Sequence, residues 1–241
     1  NPGAQVDSVV DQVLCNGELT NDILFTTTNI DGTTTYAWTN DNPAIGLAAS
    51  GTGDIPSFTA VNNTTSALVA NIEVTPTYEN GGVTCVGNAE TFTITVNPDA
   101  QVNEIDDLVY NDGDLVQIPF SSSNSGGTTT YEWTSTDPST GMESSGSGNI
   151  EFIATNSGNS PIFTTVTVIP SFENGGISNT GNPETFTVTV NPAPQVELIQ
   201  NINICAGDEI NDINFSTLNT GGTTTYEWTN DNTAIGLSAS G

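Results

Sequence analysis

The sequence predicts an all-β protein of tandem immunoglobulin-like β-sandwich modules arranged in a semi-rigid rod. Three observations carry that expectation. One phrase recurs three times, as TTTYAWTNDNPAIGL at 33–47, TTTYEWTSTDPSTGM at 128–142 and TTTYEWTNDNTAIGL at 223–237, and its Trp38, Trp133 and Trp228 are spaced 95 residues apart. A period this long exceeds the roughly 20 to 50 residue unit of a solenoid, so each repeat is expected to fold as its own bead. Apolar residues alternate with Thr along several segments, a period of two that suits an antiparallel sheet with one solvated face, and no segment carries a helical period.

The junctions fix the boundaries. NPGAQV at 1–6, NPDAQV at 97–102 and NPAPQV at 191–196 are one linker written three times, giving modules at 1–96, 97–190 and a truncated third at 191–241. Residue 1 then already lies inside a linker, and the chain reads as part of something longer. Short linkers stiffened by Pro favour a semi-rigid rod over a flexible string.

Within a repeat the elements follow in order. Strands are expected near 6–10 and 23–27, and then at the repeated phrase itself. There Tyr36 and Trp38 share one face, as do Tyr131 with Trp133 and Tyr226 with Trp228, and they read as core rather than as a carbohydrate platform. Asn40, Asp41 and Asn42 follow, and Asx residues beside Pro read as turn builders rather than ligands. A strand near 55–60 precedes the alternation of Leu68, Ala70, Ile72, Val74, Pro76 and Tyr78, matched by Ile162, Thr164, Val166, Val168, Pro170 and Phe172. The sequences ENGG at 79–82 and at 173–176 then read as hairpin turns, since Asn-Gly supplies positive φ. Phe92, Ile94 and Val96 close the first repeat and Phe186, Val188 and Val190 the second. About seven short strands in about 95 residues match a sandwich.

Composition narrows the function. The 241 residues include no Lys, Arg or His against 28 Asp and Glu, so no salt bridge can form between side chains and the formal charge is −28. Nucleic acid and anionic lipid surfaces are excluded as partners on that ground. Apolar residues at 34%, with nine Phe, five Tyr and three Trp, argue against disorder, and 39 Thr and 29 Asn replace charge on the surface. No run of about 18 apolar residues is present to span a membrane.

The three cysteines make sense by repeat. Cys15 aligns with Tyr110 and Cys205, and Cys85 aligns with Asn179, so the second repeat lacks both. The simplest reading is a Cys15 to Cys85 disulfide, with Cys205 pairing beyond residue 241; closing about 70 residues contributes about 4 kcal/mol in the chain-entropy model. A disulfide and a tandem β array point outside the cytoplasm. The competing reading is three free thiols in a reducing compartment.

Enzyme readings fail. A Ser, Thr or Cys nucleophile has no His or Lys as base, and zinc sites of the usual kind lack their histidines. Only a carboxylate pair could act as general acid and base, and scattered acids on a small sandwich read as surface charge. Calcium is the one cofactor the composition suits. Its densest oxygen cluster is Asp106, Asp107, Asn111, Asp112 and Asp114, where a cation would replace the staple that the second repeat lacks. The competing reading there is a solvated acidic loop.

The repeated phrase, the SGTGD at 50–54, the TFTITVNP exit strand and the cysteine spacing together resemble the PKD-like repeats of SprB-like gliding-motility adhesins, very large cell-surface proteins of Bacteroidota. The likeness covers the whole chain but omits the WDFGDG motif of ordinary PKD domains. It implies a secreted, outer-membrane-associated filament exported by the type IX system. The partners implied are neighbouring repeats, surface polysaccharide and the gliding and secretion machinery. The function expected is that of stalk and adhesive repeats serving gliding and surface attachment. The alternative is accessory carbohydrate-binding or spacer modules of a secreted polysaccharide-degrading enzyme.

Overall fold

The computed structural model describes residues 1–241 and is all-β apart from three single-turn 3-10 helices, Pro43–Ile45, Pro138–Thr140 and Thr233–Ile235. No helix is long and apolar enough to cross a membrane. The first repeat contributes β1 (Gln12–Cys15), β2 (Thr33–Asn40), β3 (Ser50–Thr52), β4 (Leu68–Asn80), β5 (Val83–Val86) and β6 (Glu90–Asn97). The second contributes β7 (Leu108–Asn111), β8 (Leu115–Ile118), β9 (Thr128–Ser135), β10 (Ser145–Ser147), β11 (Ile150–Ile153), β12 (Ile162–Asn174), β13 (Ile177–Thr180) and β14 (Glu184–Asn191).

The chain packs as two compact units. One holds Asn1–Glu104, Phe120–Trp133 and Val168–Glu184, and the other Ile105–Pro119, Thr134–Thr167 and Thr185–Gly241.

In the first unit the sheet runs in the order β1-β6-β4-β2-β3, with β5 paired to the far half of β4. Ala70, Ile72, Val74, Pro76 and Tyr78 on β4 are buried while Val69, Asn71, Glu73 and Glu79 are exposed, as the alternation predicts. The β4–β5 turn carries Gly81 and Gly82 at φ 63° and 78°, the paired positive values of a type I′ hairpin. Tyr78 is fully buried and its hydroxyl donates to Ile30 O at 2.6 Å.

The opposite layer is thinner than expected. Residues near 23–27 and 55–60 make only isolated bridges, Leu19 to Thr59 and Ile23 to Ile55. The donors that would extend the ladder are taken elsewhere: Phe25 N donates to Asp54 Oδ1 and Ser57 N to Asp22 Oδ1, and Pro56 has no N–H. In the second repeat, where Glu151 replaces that proline, β8 and β11 pair fully from Ile150–Ile118 to Ile153–Leu115. Between the layers of the first repeat lies a core of Leu14, Ile23, Phe25, Trp38, Ile45, Leu47, Ile55, Ile72, Val74, Phe92, Ile94 and Val96, among others.

Two further expectations are corrected. Residues 6–10 form no strand; the first strand is β1, and it pairs with β6 in parallel, Gln12 to Ile94 through Cys15 to Asn97. In the second unit β7 pairs with β14 in the same sense, Leu108 to Val188 through Asn111 to Asn191. This register makes Asn111, not Tyr110, the counterpart of Cys15.

Candidate functional site at the repeat junction

The feature that recurs with most fidelity is the way a linker is held. Asn29, Asn124 and Asn219 occupy one position in three repeats. Each accepts from the linker glutamine with its Oδ1, from Gln5 N at 2.8 Å, Gln101 N at 2.7 Å and Gln195 N at 2.8 Å. Each also donates from Nδ2 to a linker carbonyl, Gly3 O at 3.1 Å, Asp99 O at 3.0 Å and Ala193 O at 3.1 Å. One side chain thus satisfies two backbone groups of a segment that has no strand partner of its own. These asparagines sit two residues or so ahead of the repeated glycines, and sequence reading missed them, although their recurrence at a fixed distance before the Thr-Thr-Thr run was a visible signal.

A second clamp starts from the first linker residue. Asn1 Nδ2 donates to Asn80 O and Val83 O, at 3.0 and 3.2 Å; Asn97 Nδ2 donates to Asn174 O and Ile177 O, at 2.9 and 3.4 Å. Both tie a linker to the mouth of the hairpin it precedes. Asn97 is fully buried; its backbone is paired with Cys15 at the end of β6 and its carbonyl accepts from Asn16 N at 3.0 Å. Around it in the first unit, Asn16 Nδ2 and Asn179 Nδ2 share the Asp99 carboxylate, at 2.9 and 3.1 Å. Ser125 N donates to Thr65 O, and Gly175 lies against Val13, where an added Cβ would come within 3.0 Å of the valine methyl. The second unit shows the counterpart of the Ser125 contact: Thr220 N donates to Asn159 O at 2.7 Å.

The cysteines are not joined; all three are thiols. Cys15 stands at the Asn97 end of the sheet, beside the start of β4, whereas Cys85 pairs with Tyr78, ten residues further along β4. At about 3.3 Å per residue the two are on the order of 30 Å apart, far beyond the roughly 4.4 to 6.8 Å between Cα atoms that a disulfide requires. The expected Cys15 to Cys85 bond is therefore ruled out by strand register. Cys15 Sγ instead donates to Ser178 O at 3.7 Å. Burial first, and then the Glu18 and Asp99 carboxylates, push its thiol pKa up. Cys205 is exposed, and its N–H donates to Asp208 as Cys15 N–H does to Glu18.

The acidic cluster does not converge either, and no group of three or more acids is placed to hold a metal. Asp107 lies before β7 and accepts from Thr187 N at 2.7 Å; that bond holds its carboxyl below the ordinary range. Asp112 and Asp114 lie beyond the other end of β7 and accept from Asn156 N and Asn111 N, both at 2.8 Å. Asn111 Oδ1 faces Asn191 Nδ2 at 3.4 Å, and Asp106 is exposed. Each bonded acid repeats a job done in the first repeat, where Asp11, Asn16 and Glu18 cap Thr93, Asn62 and Cys15. The calcium expectation is thus replaced by a capping network.

Of the aromatic positions, Trp38 and Trp133 are buried and Trp228 half-buried, while Tyr36, Tyr131 and Tyr226 are half-buried. The tyrosines pack on Phe25, Phe120 and Phe215 with ring centroids 5.4, 5.4 and 5.5 Å apart. Tyr36 also borders an open groove of about 660 Å³ with Phe25, Thr34, Thr52, Asp54 and Thr77. Asn40 is a turn builder: its Nδ2 donates to Leu47 O and its Oδ1 accepts from Asn42 N, as Asn230 does with Leu237 and Asn232. Asp41 accepts from the backbone and side-chain N–H of Asn71.

No protein-family model matches the chain, and no curated protein matches it. Among solved structures it is similar to human mucin-like protocadherin EC1-2, with a TM-score of 0.36 at 13% identity over 79% of this chain and 98% of that one. It is also similar to the human desmocollin-1 ectodomain, at 0.30 and 14% over 84% and 43% of the two chains. For the N-terminal Ig1-2 module of the Drosophila receptor tyrosine phosphatase DLAR the figures are 0.27 and 10% over 78% and 99%. The class defined by the strands themselves is a tandem all-β sandwich protein.

Proposed function

We propose that these repeats form the stalk of a large secreted cell-surface adhesin, in which modules 1–96, 97–190 and 191–241 set reach and stiffness along a semi-rigid rod. The observation that carries this reading is the double linker clamp, Asn29, Asn124 and Asn219 on one side and Asn1 and Asn97 on the other. A linker that continues directly from β6 of one repeat and is bonded at two points to the next transmits load and orientation; a merely flexible tether has no use for it. With no Lys or Arg and a formal charge of −28, like charge keeps neighbouring filaments apart. The resemblance to PKD-like repeats extends this to an outer-membrane-associated filament that serves gliding and is exported by the type IX system. Small-angle scattering tests it: each module should add roughly 35 to 45 Å of length, and a compact particle defeats the reading.

The groove beside Tyr36 favours a second reading, accessory carbohydrate-binding modules of a secreted polysaccharide-degrading enzyme. A half-buried aromatic next to Asp54 and four threonines is a surface on which a sugar could stack and hydrogen-bond. Glycan binding that is abolished by Tyr36→Ala would select it, and uniform absence of binding leaves the stalk role.

A further inference from the structure

We propose that the repeat junction is a cross-linking site, in which a cysteine at the Cys15 position of one repeat forms a disulfide with a cysteine at the Cys85 position of the next. The proposal rests on the tandem-array reading above.

The register of the hairpins makes the match. Cys85 pairs with Tyr78 on β4, and Asn179 pairs with Phe172 on β12 in the same register, and both side chains are half-buried while their strand neighbours are exposed. Asn179 is therefore the second repeat's Cys85. Within the first unit, Cys15 Sγ reaches Ser178 O at 3.7 Å. A carbonyl oxygen lies roughly 2.8 Å from the next Cα, so the sulfur is no more than about 6.5 Å from the Cα of Asn179. Asp99 gives an independent measure of the same closeness. It bonds Asn179 Nδ2 and the side chain of Asn16, next to Cys15, and its charge is felt at the Cys15 thiol.

The cysteines that were inexplicable within one sandwich are thus placed for their neighbours. Cys15 faces an asparagine because the second repeat carries none; Cys85 would face the β1 end of a repeat placed before it, and Cys205 the β5-type strand of one placed after it. Forming the bond removes two protons and two electrons from two thiols. A small-molecule disulfide such as oxidised glutathione accepts the electrons, its S–S bond breaking to two thiols through a mixed disulfide at one of the cysteines. Burial and the nearby carboxylates raise the Cys15 thiol pKa, so oxidation is run under mildly alkaline conditions that favour thiolate.

The test is Asn179→Cys in the full chain with Cys85→Ser and Cys205→Ser. After oxidised glutathione the expected product is two hydrogens lighter, labels nowhere with iodoacetamide and recovers two labels on reduction. Should the single change unfold the protein, residues 177–180 are exchanged for the β5 sequence VTCV, which the same hairpin already carries in the first repeat. Ser178→Cys, on the opposite face of the strand, is expected to stay reduced. Folded protein in which both thiols still label, or equal cross-linking from positions 178 and 179, overturns the proposal. So does a Cys15 to Cys85 bond in the unaltered chain. Scattering on the same samples separates the readings: an extended particle without the cross-link removes only this inference, and a compact one removes the stalk.

Discussion

Asn97 and Asn174 bond each other in both directions: Asn97 Nδ2 donates to Asn174 O at 2.9 Å, and Asn174 Nδ2 donates to Asn97 Oδ1 at 3.0 Å. Asn97 is also the last residue of β6, so one fully buried side chain joins the sheet of the first repeat to the hairpin of the second. Asn97→Ala takes the side-chain donor from the Asn174 and Ile177 carbonyls and from the buried Asn97 site, and is expected to destabilise by about 1 to 3 kcal/mol. Urea unfolding measures it, and Asn97→Asp should be no better, because an acid replaces the donor with a second acceptor.

The linker asparagines make a graded comparison. Asn124→Ala removes the donor to Asp99 O and the acceptor for Gln101 N, for an expected loss of about 1 kcal/mol per hydrogen bond. Amide exchange at Gln101 should quicken, while amides in the middle of β4 stay protected. Equal exchange in variant and parent would show that the clamp holds nothing.

Gly51 and Gly53 differ in what surrounds them. A Cβ on Gly51 would come within 2.2 Å of the Trp38 ring, whereas Gly53, at φ 72°, has nothing within 4 Å. Gly51→Ala should cost about 1 to 3 kcal/mol by overpacking. Gly53→Ala should cost only the strain of a left-handed alanine, about 1 to 2 kcal/mol. Trp38 fluorescence should shift in the first variant and not in the second.

Acid should weaken the fold through particular carboxylates. Asp41, Asp107 and Asp137 all have pKa values lowered by hydrogen bonds, to Asn71, Thr187 and Ser139 in turn. A lowered folded pKa means that the stabilisation is complete above the unfolded value of about 3.9 and is lost as pH falls through the folded one. Relief of repulsion among 28 acids acts in the opposite sense. The clean measurement is therefore the difference between parent and Asp107→Asn in urea midpoint at pH 7 and at pH 3, which should shrink on acidification.

The acids around β7 cap backbone and do not converge. The melting temperature is expected to be the same in chelator and in millimolar calcium, and a rise with calcium would contradict the capping account.

What the sequence determined by itself was the buried face of the long strands, the hairpin turn and the repeat. The alternation from Leu68 to Tyr78 fixed which face of β4 is buried, Gly81 and Gly82 fixed the hairpin, and the recurrence of Trp38 fixed the repeat, because side-chain direction in a strand and positive φ in a turn are properties of neighbours along the chain. What only the tertiary structure decided was long-range register. That β1 runs parallel to β6 carried Cys15 to the end of the sheet opposite Cys85, and no spacing in the sequence encodes that. That Pro56, Asp22 and Asp54 thin the second layer of the first repeat emerged only when the donors could be followed to their acceptors. The acidic cluster likewise looked like a metal loop until a four-residue strand was seen to separate its members, since proximity in sequence becomes distance once a chain is extended.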